Sequence, residues 1–108
     1  MAEWIEVCPV EDLQPDSGVC ALVKGLQVAI FYMPKESAVY AINNYDPFGK
    51  ANVLSRGLIG DMNGQPVVAS PLYKQHFNLQ TGACLEDETV TLPVYAVRID
   101  NGNVQVSV

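Results

Sequence analysis

The sequence predicts an all-β domain built from antiparallel hairpins. Three observations carry that reading. Short apolar runs alternate with turn residues along the chain, Asn63-Gly64 and Asn101-Gly102 each separate two such runs, and no long segment repeats at the helical period.

The elements follow in order. Residues 4–8 form a first strand, and Val10-Glu11-Asp12-Leu13 suits one helical turn that Pro15 stops, since proline removes a backbone donor. Residues 19–24 and 26–32 read as a hairpin turning at Lys24-Gly25. In its second arm, Val28-Ala29-Ile30-Phe31-Tyr32 hardly alternates, which predicts a strand buried on both faces. A strand over 38–43 follows the loop Pro34-Lys35-Glu36-Ser37, and a long polar, Gly-containing connection runs from Asn44 to Ser55. Residues 56–62 and 65–70 bracket Asn63-Gly64, and 76–79 is a strand stub ending at Thr81-Gly82. The last hairpin joins 94–100 to 103–108 through Asn101-Gly102. A two-residue loop there pairs Ile99 with Val104 and Val97 with Val106 on one face, leaving Arg98 and Gln105 on the other.

A chain of 108 residues is one domain, 1–108, with no linker, repeat or low-complexity tract. It buries about 60–65% of the surface its unfolded chain exposes, enough for a core without staples. Hydrophobic residues make up 49%, which excludes a disordered chain. Twelve acidic residues against six basic ones give a net charge of −6. That excludes nucleic acid and anionic membrane surfaces, which require clustered Lys and Arg, and favours a basic patch on a protein partner. The segment Met1-Ala2-Glu3-Trp4-Ile5-Glu6-Val7 has neither the basic start nor the apolar run of a signal peptide, and no segment is long enough to span a bilayer. Cys8, Cys20 and Cys84 are odd in number and widely spaced. They read as buried reduced thiols rather than a disulfide framework, which points to the cytoplasm.

Two loops carry the functional signal. Asn43-Asn44-Tyr45-Asp46-Pro47-Phe48 is followed 22 residues later by Ser70-Pro71-Leu72-Tyr73-Lys74-Gln75-His76-Phe77-Asn78-Leu79-Gln80-Thr81-Gly82. This frame resembles a Rieske [2Fe–2S] domain. That family reads Cys-Pro-His in the first loop and Cys-Pro-x-His in the second, then Phe-x-Leu-x-Thr-Gly. Pro47, Pro71 and the Phe77-to-Gly82 tail match, while the four ligand positions hold Asp46, Phe48, Ser70 and Tyr73. A Rieske cluster needs two thiolates on one iron and two imidazoles on the other. The resemblance therefore implies a Rieske-like antiparallel β-sandwich with a small sub-domain over 43–82, its cluster-binding loops emptied of their ligands and binding no cluster.

Other residues support no second chemistry. His76 lacks the partners of a Ser-His-Asp or Cys-His device and, on a strand whose Phe77 and Leu79 face the core, points with Asn78 to the opposite side. It reads as a solvated residue first, a partner contact second and a metal ligand last. Glu86-Asp87-Glu88 reads as a solvated acidic turn, without the spacing of a calcium loop, and a hard-metal site using these residues with Asp46 and Asp61 is the lesser alternative. Gly57, Gly60 and Gly64 form no phosphate loop.

A narrower resemblance runs almost end to end. The pieces Gly18-Val19-Cys20-Ala21-Leu22, Gln27-Val28-Ala29-Ile30-Phe31, Asp46-Pro47-Phe48, Val53-Leu54-Ser55-Arg56-Gly57-Leu58-Ile59, Val68-Ala69-Ser70-Pro71-Leu72 and Gly82-Ala83-Cys84-Leu85-Glu86-Asp87-Glu88 are similar to the small subunit of bacterial NADH-dependent assimilatory nitrite reductase. That resemblance implies a non-catalytic subunit of an oxidoreductase that reduces nitrite to ammonium. It has no cofactor, catalytic residue or metal of its own, and FAD, an iron–sulfur cluster and sirohaem are expected on the large catalytic subunit, its partner. Pro47, Phe48, Pro71, Leu72, Tyr73, Lys74 and His76 are then candidate partner contacts, because a two-loop tip stripped of its cluster remains a docking surface. Refilling of the vacated volume by Phe48 and Tyr73 is the competing role. The alternative function is a free-standing β-sandwich module that binds proteins and is unrelated to redox chemistry.

Overall fold

The computed structural model of the chain describes residues 3–34, 38–62, 64–72 and 74–108. Tyr73, Asn63 of the Asn63-Gly64 turn and residues 35–37 of the expected loop lie outside them.

Eleven strands are described: β1 (Ile5–Pro9), β2 (Ser17–Val23), β3 (Leu26–Met33), β4 (Ala38–Asn43), β5 (Tyr45–Asp46), β6 (Ala51–Asn52), β7 (Leu58–Met62), β8 (Gln65–Ala69), β9 (His76–Asn78), β10 (Val94–Asp100) and β11 (Asn103–Ser107). Single 3-10 turns occupy Val10–Asp12 and Leu54–Arg56. The strands form a six-stranded sheet in the order β1-β11-β10-β4-β3-β2, a three-stranded sheet β7-β8-β9 and the small pair β5-β6, each antiparallel throughout.

Strand β3 explains the architecture. Val28, Ala29, Ile30 and Phe31 are all fully buried, as the missing alternation predicts, while Tyr32 at the end of the run is half-buried. Its two faces feed two cores. Val28 and Ile30 join Leu13, Val23, Ala41, Val104 and Val106, and all six strands of the large sheet add residues to this cluster, so the sheet curls around it. Ala29, Phe31 and Met33 face the other way, with Ile42, and pack on Val68, Phe77 and Leu79 of the three-stranded unit. A fully buried apolar side chain contributes about 1.5–3 kcal/mol, so this second core fastens the loop-bearing unit to the sheet.

The hairpins turn where the sequence places them. Lys24-Gly25 and Asn101-Gly102 both have positive φ at each residue (50° and 81°, 51° and 78°), the geometry that matches strand twist across a two-residue loop. Ile99 pairs with Val104 and Val97 with Val106. On the opposite face Arg98 donates to Gln105 at 2.7 Å and stacks over Trp4 at 4.2 Å.

Four local expectations need correction. The connection 44–55 is not irregular: it holds the β5-β6 pair and leads into the Leu54–Arg56 turn, whose Leu54 is fully buried. Arg56 therefore belongs to that turn rather than to β7, because the Gly57 amide closes it on the Leu54 carbonyl at 2.9 Å. Asn78 points away from Phe77 yet is buried, covered by Gln65 and by the turn after β9. Cys20 is exposed, because β2 sends Val19, Ala21 and Val23 inward and Cys20 outward, whereas Cys8 is half-buried and Cys84 buried.

Candidate functional site

The two proline-containing loops are twin turns. In the first, the Lys50 amide donates to the Asp46 carbonyl at 2.7 Å; in the second, the Lys74 amide donates to the Ser70 carbonyl at 3.1 Å. Each turn starts with a short polar side chain, continues with proline and ends on a lysine with positive φ, 55° at Lys50 and 64° at Lys74. The opening side chains hold the turns. Asp46 Oδ1 accepts the amides of Phe48 at 2.9 Å and Gly49 at 3.2 Å, and Ser70 Oγ accepts the Leu72 amide at 3.3 Å. Aspartate and serine do this readily because their side chains mimic a backbone turn.

The two openers also meet each other. The Ser70 hydroxyl donates to Asp46 Oδ2, and both residues are buried, at 0% and 1% exposure. Burial of a carboxyl group requires such partners, and Asp46 has three. The loops touch beyond this bond: a Cβ added at Gly49 would lie 2.3 Å from Leu72 Cδ1, so only glycine fits there without the Leu72 side chain moving.

Phe48 is half-buried and packs on the core, its ring centroid 6.2 Å from that of Phe77. Pro47 is half-buried, and Pro71, Leu72 and Lys74 are exposed. His76 is half-buried and held by one carboxylate: Glu86 accepts its backbone amide at 2.7 Å and lies 2.6 Å from its ring Nδ1. This corrects the expectation of a merely solvated histidine and gives Glu86 a partner that the acidic run did not suggest. Burial acts to raise the Glu86 carboxyl, but the His76 backbone and ring hydrogen bonds and the ring's charge outweigh it, leaving Glu86 below its ordinary value. Among the described residues no three of His, Cys, Asp and Glu converge on a point, and Asp61, Asp87 and Glu88 do not join Asp46 or Glu86.

Sequence reasoning missed the residue that ties the tip to the sheet. Asn44, 2% exposed, donates through Nδ2 to Gln27 Oε1 at 3.2 Å and to the Asn52 carbonyl at 3.1 Å, and its Oδ1 accepts the Ser55 amide at 2.7 Å. An asparagine between two strand segments carries no signal of such a role. Also missed is a hollow of about 480 Å³ beside the second loop, lined by Arg56, Leu58, Ala69, Ser70, Pro71, Lys74 and His76.

A Rieske cluster does not fit these residues. Of the three ligand positions described, Asp46 and Ser70 are hydrogen-bonded to each other where two thiolates would reach for iron, and Phe48 puts a ring against Phe77 where an imidazole would stand.

Residues 3–107 match the family of the Rieske-like [2Fe-2S] domain. The chain is 49% identical over 105 residues to the nitrite reductase (NADH) small subunit of Salmonella typhimurium, covering 97% of each. A crystal structure described as an NADH-dependent nitrite reductase small subunit of Mycobacterium tuberculosis superposes with a TM-score of 0.94 at 41% identity, covering 100% of this chain and 96% of that one. A third relative is larger: the nitrite reductase [NAD(P)H] large subunit of Klebsiella oxytoca is 37% identical over 103 residues, which is 95% of this chain and 11% of that protein. With a Rieske-like fold and full-length similarity to these subunits, the chain belongs to the family of NADH nitrite reductase small subunits.

Proposed function

We propose that this chain is the non-catalytic small subunit that an NADH-dependent nitrite reductase requires, that it acts while bound to the large catalytic subunit, and that it carries no [2Fe–2S] cluster. One observation carries the cluster-free reading: the positions of the two thiolate ligands hold Asp46 and Ser70, buried and bonded to each other. Electrons cannot pass through a centre that the chain does not hold. FAD, the iron–sulfur cluster and sirohaem then belong to the large subunit, which reduces nitrite to ammonium in nitrate assimilation. The setting is the cytoplasm; among the described residues no helix is long and apolar enough to cross a membrane.

Association with the large subunit draws support from the Klebsiella protein, where a stretch similar to this whole domain is part of a large-subunit chain. The tip that carries Pro47, Phe48, Pro71, Leu72, Lys74 and His76 is the docking region, and Tyr73, outside the described residues, is a further candidate contact from the sequence. The hydrogen-bonded joint holds its loops in one arrangement, which reduces the ordering cost of binding. Phe48 divides its role, filling volume against Phe77 while shaping the base of the tip.

The test is an add-back assay. Large subunit prepared without this chain should show little nitrite-dependent NADH oxidation, and adding the chain should restore it. Full activity of the large subunit alone, with no association between the two proteins, would favour a free-standing binding module.

A further inference from the structure

The chain's charge is unevenly placed. Region 43–82 holds Lys50, Arg56 and Lys74 against Asp46 and Asp61, a net of +1, while the rest of the chain carries −7. Asp46 is buried and committed to Ser70, so it adds nothing to the outer surface. Of the other cations described, Lys24 pairs with Glu3, Arg98 lies between Trp4 and Gln105, and Lys50 is exposed on the first loop, outside the hollow. Arg56 and Lys74 are exposed and have no acidic partner within ion-pair distance among the described residues. They line the same hollow, with Leu58, 79% exposed, and Pro71 beside them; the carboxylate near its edge, Glu86, is engaged by His76. One guanidinium and one ammonium group lining the same hollow as an exposed leucine form a site for a carboxylate-bearing segment with an apolar side chain.

We infer that the hollow bounded by Arg56, Leu58, Pro71 and Lys74 receives an acidic segment of the nitrite reductase large subunit, with Leu58 as its apolar anchor. The inference rests on the reading of this chain as that enzyme's small subunit and names the chemistry of the partner's face. It also reverses what the net charge suggests. An overall charge of −6 favours a basic partner, but the loops meet the partner with the opposite sign. The negative remainder of the domain orients the encounter, since an acidic partner face is repelled everywhere except at the tip.

The experiment measures binding of the full chain to its own large subunit at about 50 mM and about 300 mM salt, where screening differs strongly. The double variant Arg56→Glu/Lys74→Glu should bind about tenfold or more weakly at the lower salt, mostly through slower association, with the gap narrowing at the higher salt. Leu58→Ala should weaken binding severalfold at both salts. Lys24→Glu, the same charge change at a distant hairpin, should stay within about twofold. Lys74→Gly should bind more weakly while melting no lower than the parent, because glycine suits the left-handed backbone there. A double variant that binds like the parent, or a Lys24→Glu loss as large as that of the double variant, overturns the inference while leaving the subunit reading intact. Displacement by millimolar nitrite but not by chloride would make the hollow a small-anion site and overturn it as well. No association of the unmodified chain would instead defeat the subunit reading itself.

Discussion

Ser70 donates its hydroxyl to the Asp46 carboxyl across two loops that are 24 residues apart in sequence, and neither side chain reaches solvent. The bond joins the opening residues of two turns that are otherwise built alike. It cross-links the two loops at their first residues.

Removal of the acceptor is therefore costly. Asp46→Ala strands the Ser70 hydroxyl and the Phe48 and Gly49 amides. At about 1 kcal/mol or more for each unsatisfied group, the loss is about 3 kcal/mol. Thermal unfolding should fall by about 10 °C or more. Ser70→Ala takes one of three partners from Asp46 and the acceptor from the Leu72 amide, and should cost about 2 kcal/mol. A double-mutant cycle should show coupling of about 1 kcal/mol or more between the two positions. Additive losses would mean that the bond does not tie the loops.

Phe48→Ala should destabilise the domain by about 2 kcal/mol, less than a fully buried phenylalanine, because Phe48 is only half-buried on Phe77. Chemical denaturation reads this directly. A loss below about 0.5 kcal/mol would assign Phe48 to the surface alone.

The Glu86 carboxyl titrates below its ordinary value of 4.5 because its bonds to His76 favour the charged form. A carboxyl lowered in the folded state contributes stability that is present above the unfolded value and lost as pH falls through the folded one. The domain should therefore lose stability below pH 4.5, and Glu86→Gln should flatten that part of the acid profile. The measurement is denaturant midpoint against pH for both proteins. Identical slopes would show that the His76 contact contributes nothing.

Thiol labelling distinguishes the cysteines. Cys20, exposed on the outer face of β2, should react with an aromatic disulfide reagent in the folded protein, although partial burial raises its thiol too. Cys84 should react only on unfolding, since burial both shields its thiol and holds it above the usual range. Rapid reaction of Cys84 in the native state would contradict the packing of the second core.

Much of this was legible in the chain. Strand β3 announces its double burial through an unbroken apolar run, and Asn101-Gly102 fixes the last hairpin and its register, because both are local signals. The paired prolines and the Phe77-to-Gly82 tail identify the loops. The Asp46–Ser70 bond was not legible, because it joins residues brought together only by tertiary structure. The same holds for Asn44 and for the Glu86–His76 contact, where one side of each interaction lies on a distant segment. Burial of Asn78 escaped the alternation argument because a turn and Gln65 cover the face that alternation assigns to solvent. The charge reversal between 43–82 and the remainder is present in the sequence, but its meaning depends on the burial of Asp46.

The most direct test of the central claim is an analysis of iron and acid-labile sulfide in the chain, purified anaerobically from iron-replete cells. A tip closed by Asp46 and Ser70 predicts a colourless protein with no stoichiometric iron or sulfide. About two irons and two sulfides per chain, with the absorption of a [2Fe–2S] centre, would contradict it.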